Sequence, residues 1–110
     1  MARRAARKVT QYLYLTTTGR RSGQPREIEI WFTQRDRRYY LIAEHRERAQ
    51  WVRNLRVTPS VRVRVGRRAF AAQARVVDPK AEPELARAVR TLSEAKYGWG
   101  SGLVVELDPR

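Results

Sequence analysis

Cysteine is absent from the 110 residues, so disulfides, thiolate nucleophiles and cysteine-ligated zinc are excluded, and a reducing cytoplasm is compatible. Histidine occurs once, as His45, inside the charged run Glu44-His45-Arg46-Glu47-Arg48. A Ser-His-Asp or Cys-His nucleophile would depend on that one residue, and His45 with Glu44 and Glu47 lacks the second imidazole that marks a zinc site. The expectation is no metal site and no nucleophilic catalytic side chain. No apolar run approaches the length of a membrane span, and Met1 to Val9 carries arginines without the apolar core of a signal peptide. A soluble cytoplasmic protein is expected.

Negative charge is scarce as well. Eleven acidic side chains against 24 basic ones leave a formal charge of +13, and the excess is one-sided: residues 1–70 hold 18 basic and 5 acidic residues, residues 71–110 six of each. An anionic partner is the functional reading of that imbalance. Lysine is nearly missing too, since 21 of the 24 basic residues are arginine, a bias that genome composition or a thermal habitat also produces. At this length the chain makes one domain, residues 1–110, with residues 1–10 as a basic N-terminal segment, and it can bury a core without staples.

Six strands and two helices are predicted. Residues 11–18 are aromatic and β-branched, and residues 26–33 alternate at Glu27/Ile28/Glu29/Ile30 before Trp31-Phe32, so both read as strands joined in a hairpin. A polar turn at residues 34–37 leads to a third strand, Arg38 to Ala43, which makes a three-strand meander. Ala49 to Leu55 supports a short helix halted by Pro59, with Trp51 and Leu55 on one face. Residues 60–65 are a strict period-two strand, valines on one side and arginines on the other, and Gly66-Arg67 turns it into a fifth strand ending near Val77. Pro83 opens the clearest helix, whose stripe Leu85, Ala88, Val89, Leu92, Ala95 runs to Lys96 before Gly98. Leu103 to Leu107 is the last strand. The result is a mainly β fold with two helices, a six-stranded antiparallel barrel with helices against its openings or outside.

The segment Thr16-Thr17-Thr18-Gly19-Arg20-Arg21-Ser22-Gly23-Gln24-Pro25-Arg26 has the composition of an anion cradle. Gly19 and Gly23 let the backbone approach a ligand, hydroxyls and freed amides donate hydrogen bonds, and arginine forks match phosphate or carboxylate oxygens. Glu27 and Glu29 share a strand face, where cross-strand charge pairing is the simpler role. With no reactive side chain in view, an enzyme of this sequence imports its chemistry with a cofactor. Such a cofactor needs an anion site for its tail, supplied by Thr17 to Arg26, and a flat slot, for which Trp31, Ala43 and Trp51 are candidates. Asn54, one turn beyond Trp51, is placed to bond the ring edge, and Tyr97 and Trp99 beside Gly98 and Gly100 suit a mobile aromatic lip.

The T-T-x-G-R-x-S-G-x-P-R block at residues 16–26, then Trp31-Phe32, then Trp51-x-x-Asn54-Leu55-x-x-x-Pro59-x-Val61, resembles the deazaflavin-dependent nitroreductase family of the FMN-binding split β-barrel superfamily. The resemblance runs from about Tyr12 to Val77, with Ala95-Lys96-Tyr97-Gly98-Trp99 similar to the family's C-terminal helix end. It implies a six-stranded split β-barrel that binds coenzyme F420, an 8-hydroxy-5-deazaflavin, and an oxidoreductase that passes hydride to a small unsaturated, quinone or nitro acceptor. By position, Thr18, Arg20, Arg21, Ser22, Gly23 and Arg26 would hold the cofactor tail, and Ala43, Trp51 and Asn54 would sit at the ring. Trp31, Tyr97 and Trp99 would meet substrate, with no catalytic side chain because the cofactor carries the hydride. The loop Glu44 to Arg48 is shorter than in better-known members, and lacks their tail-binding lysine. FMN is the alternative cofactor, a basic nucleic-acid-binding barrel using Arg62, Arg64, Arg67 and Arg68 is the alternative class, and a homodimer is expected.

Overall fold

The computed structural model describes residues 10–110; all but Thr10 of the basic segment expected over residues 1–10 lies outside them. The strands are β1 (Tyr12–Thr18), β2 (Pro25–Trp31), β3 (Thr33–Arg35), β4 (Arg38–Ala43), β5 (Ser60–Val65), β6 (Arg68–Val76) and β7 (Leu103–Pro109). Helix α1 (Gln50–Val57) follows a short 3-10 turn at Arg46–Arg48, and α2 (Pro83–Tyr97) precedes β7. All pairings are antiparallel, in the spatial order β2-β1-β5-β6-β7-β4-β3. The two edge strands, β2 and β3, are consecutive in the chain with only Phe32 between them, so the sheet curls until its edges meet. This is the split barrel.

Two expectations are corrected here. The described strands number seven, because the run over residues 26–33 breaks at Phe32. There the backbone N–H donates to the Tyr97 hydroxyl at 3.0 Å, and the carbonyl accepts the Lys96 ammonium at 2.9 Å, so both Phe32 groups leave the ladder for the end of α2. The Tyr97 hydroxyl, which also lies 2.8 Å from the Phe32 carbonyl, has one proton to give, and the 2.6 Å contact to the Gln11 carbonyl takes it where Lys96 already serves Phe32. Nor is there a three-strand meander. Strand β4 pairs with β7, Leu41 opposite Val105, at the far side of the sheet from β2.

Strand phase explains the layers. On β5, Val61 and Val63 are buried while Arg62 and Arg64 face water, and β1 turns Leu13, Leu15 and Thr17 inward. The buried valines and leucines join Phe32, Tyr39, Leu41, Val52, Leu55, Val105 and Leu107 in the main core, so α1 closes the concave side. The opposite faces of β4 and β7 are also covered, because Tyr40 and Val104 pack with Val77 and with Ala86 and Val89 of α2. That is why Tyr39–Ala43 and Leu103–Val105 carry bulky or apolar side chains on both faces rather than alternating with polar ones. Glu106, buried at 6% exposure, accepts from the Tyr40 hydroxyl at 2.9 Å and from Arg75 Nε at 2.8 Å, and Arg75 reaches on to Glu82 at the start of α2. Among the described residues no helix is long and apolar enough to cross a membrane.

Candidate functional site

The turn between β1 and β2 is built by its glycines. The Gly19 N–H donates to the Gln24 carbonyl and the Gly23 N–H to the Gly19 carbonyl, both at 2.8 Å, which folds the chain back on itself. Gly23 holds φ at +71°, in the left-handed region, with open space around it. Gly19 is needed for a different reason: a Cβ there would stand 2.6 Å from Ser22 Oγ and 3.2 Å from the Gln24 carbonyl. Ser22 Oγ accepts the Gln24 N–H at 3.1 Å and Arg26 Nη2 at 3.3 Å, tying the turn to the second strand.

Helix α1 clasps this turn from the core side. Asn54 Oδ1 accepts both the Arg20 backbone N–H at 3.2 Å and Arg20 Nη1 at 3.0 Å, while Nδ2 donates to Thr17 Oγ1 at 3.1 Å. Asn54 is 5% exposed and Thr17 1%, so this is a buried polar contact in which each partner satisfies the other. Arg21 and Arg26 stay exposed on the rim.

Two cavities meet at Trp51. The first, about 360 Å³, is lined by the turn residues Thr17, Gly19, Arg20, Arg21, Ser22 and Arg26 together with Ile28, Gln50, Trp51 and Asn54, three arginines with no carboxylate. The second, about 570 Å³, continues past Trp51 over Ala43, Ala49, Ile30 and Ile42 to Trp31 and Trp99. Tyr12, Glu29, Glu44 and His45 complete it. Both volumes lie in the range of small-molecule sites.

The expected residues divide accordingly. Arg20, Arg21, Ser22, Arg26, Trp51 and Asn54 line the basic cavity, and Ala43, Trp51, Trp31 and Trp99 line the aromatic one. Thr18 lines neither; Thr17 takes its place, because alternation along β1 turns adjacent threonines to opposite faces. Gly23 shapes the turn without lining the cavity. The Asn54 amide accepts from Arg20 through Oδ1 and donates one of its two N–H groups to Thr17. Tyr97 is packed against the sheet edge. Its ring stacks on Trp31 with centroids 4.3 Å apart and planes 3° from parallel, its hydroxyl is held by Phe32 and Gln11, and it does not line the aromatic cavity. Trp99 meets Trp31 edge-on at 6.2 Å. Lys96 lies 3.9 Å above the Phe32 ring, and burial holds its ammonium below the usual lysine range.

Thr17 was findable from strand phase. Glu29, Glu44, His45 and Tyr12 carried no such signal, because three separate segments bring them to one cavity. Glu27 pairs with Arg64 at 3.8 Å, and Arg64 also covers the Tyr14 ring at 4.1 Å, so one of the arginines suggested for nucleic acid is engaged within its own sheet.

The residues fit an anionic, ring-bearing ligand. The cradle offers guanidinium forks around a glycine whose missing side chain keeps the floor open, and the adjoining wall is apolar and planar. Comparison with known proteins bears on which ligand this is. A family model described as F420H(2)-dependent quinone reductase matches residues 3–102. The heme storage protein HutZ from Vibrio cholerae superposes with a TM-score of 0.75 at 21% identity, covering 92% of this chain and 82% of that one. The conserved hypothetical protein Rv2991 from Mycobacterium tuberculosis gives 0.71 at 22% identity, covering 92% and 74%. An F420-H2 dependent reductase, FDR-A, gives 0.65 at 18% identity, covering 88% and 93%. At such identities these structures share the fold alone. No curated protein matches the chain.

Proposed function

Because the chain belongs to the F420H(2)-dependent quinone reductase family, we propose that it is a reductase whose basic cavity holds the acidic tail of coenzyme F420 and whose aromatic cavity admits a small unsaturated, quinone or nitro acceptor. The observation that supports this best is the junction at Trp51, where a cleft wall of three arginines passes into a wall of three tryptophans. Reduced deazaflavin, when bound, supplies a hydride. Everything else falls to the chain.

Arg21 and Arg26 stand on the rim with guanidinium groups exposed, suited to capture phosphate or carboxylate oxygens. Arg20 is fixed by Asn54, so its charge is presented in one orientation without loss of side-chain freedom on binding. Trp51 and Ala43 bound a flat apolar slot, and the Trp31 and Trp99 rings line its far end. Positioning is what these groups contribute, and positioning is what hydride transfer between two bound rings requires.

The test is a side-by-side titration of the purified protein with oxidised F420 and with FMN, followed by absorbance and ligand fluorescence. Saturable one-to-one binding of the deazaflavin, tighter than FMN, supports the reading. Binding of FMN alone would reassign the cofactor, and no binding of either at micromolar concentration would remove the reading.

A further inference from the structure

We propose that the aromatic cavity selects a planar acceptor that carries positive charge, a heteroaromatic cation rather than a neutral or carboxylated ring. The inference rests on the reading of that cavity as the acceptor end of the cleft. All three tryptophans of the chain line it. Tyr97 stacks on one face of Trp31 and Trp99 packs against it at a steep angle, which fixes the Trp31 ring where it lines the cavity. Tyr12 adds a fourth ring.

Charge in the same cavity runs against the rest of the molecule. In a chain with 24 basic and 11 acidic side chains, this lining holds Glu29 and Glu44 and no lysine or arginine, while the neighbouring basic cavity holds three arginines and no carboxylate. Glu29 receives the Tyr14 hydroxyl at 3.0 Å, which orients its carboxylate, and Glu44 makes no ion pair among the described residues. Indole faces attract cations through the ring quadrupole, and carboxylates at the rim add to that attraction. An anionic acceptor would meet two like charges there. The cleft is thus polarised along its length, with the anion-binding end at the turn and a cation-binding end at the tryptophans.

The probes are 1-methylquinolinium, neutral 1-methylnaphthalene and 1-naphthoate, which share a bicyclic shape and differ in charge. Each is titrated against the protein without cofactor, in one buffer at one ionic strength. Tryptophan fluorescence reads the cavity, since all three tryptophans line it, and Trp51 reports on the adjoining basic cavity as well. The cation is expected to bind about tenfold more tightly than naphthoate. That preference shrinks to about twofold in Glu29→Gln/Glu44→Gln, an exposed and isosteric pair of changes that leaves the circular dichroism spectrum unaltered. Naphthoate captured by the cradle instead is recognised by its loss in Arg21→Ala/Arg26→Ala. Equal affinity for the three probes, or a preference untouched by the glutamine pair, would overturn the inference. A cation preference in a protein that fails to bind deazaflavin removes the reductase reading and leaves the cation site standing. Deazaflavin binding without the preference does the reverse.

Discussion

Replacing Asn54 by alanine cuts the clasp between α1 and the turn, and the consequence can be worked from three hydrogen bonds. Thr17 Oγ1, in a residue only 1% exposed, loses its donor at 3.1 Å, and a buried group left without a partner costs about 1–3 kcal/mol. The two Arg20 contacts, at 3.2 and 3.0 Å, are part-buried and water replaces them in part, adding about 1 kcal/mol. A total of about 2–4 kcal/mol corresponds to a fall in Tm of roughly 8–16 °C for a domain of this size. Urea denaturation gives the cleanest readout, with a lower midpoint and an unchanged slope, because the surface exposed on unfolding stays the same. Asn54→Asp separates stability from binding: it keeps acceptors for Arg20, so it destabilises less than alanine, yet it sets a carboxylate in an anion cavity and weakens deazaflavin binding more. An Asn54→Ala protein within about 0.5 kcal/mol of wild type would refute the clasp and return Asn54 to a ligand-contact role.

Gly19→Ala forces Ser22 Oγ away from a 2.6 Å contact, and should cost about 1–3 kcal/mol and loosen Arg26, read by thermal melting and by weaker deazaflavin binding. Tyr97→Phe keeps the stack on Trp31 but strips the Phe32 amide of its partner, so a loss of about 1–2 kcal/mol is expected with the tryptophan emission maximum little changed. Burial, then the Glu106 carboxylate, pushes the Tyr40 hydroxyl up to about 12 from 10.0. A raised folded-state value stabilises the fold below the unfolded pKa and is lost as pH rises, so urea midpoints should fall between about pH 10 and 12, a limb that Tyr40→Phe flattens.

The turn was legible because its chemistry is local: glycine spacing, hydroxyls and arginines within eleven residues act on one another without help from the rest of the fold. The valine and arginine phases of β5 were legible for the same reason, since a one-residue slip would bury both arginines. Phase is readable at Thr17 as well, since Leu13 and Leu15 share its face of β1. Strand partnership was not legible. Turn chemistry at residues 34–37 predicts a preceding neighbour for Arg38–Ala43, which the short edge strand β3 supplies, but the inner partner of β4 is β7, sixty or more residues on. The break at Phe32 depends on Tyr97 and Lys96, contacts equally distant in sequence. The acidic rim of the aromatic cavity shares this origin, because Glu29, Glu44 and Trp99 meet only once the sheet has curled.

The central claim is that the arginines of the β1–β2 turn hold the tail of a deazaflavin. Its most direct test is a fluorescence titration of oxidised F420 against wild type, Arg21→Ala and Arg26→Ala, each shown to melt with the wild type. Both side chains are exposed, Arg21 makes no hydrogen bond among the described residues and Arg26 only the 3.3 Å contact to Ser22, so stability should hold. Loss of one charge-assisted fork should weaken binding about tenfold in each variant, and more steeply at low salt. Variants that bind the cofactor as tightly as wild type, or a wild-type protein that does not bind it, would contradict the account.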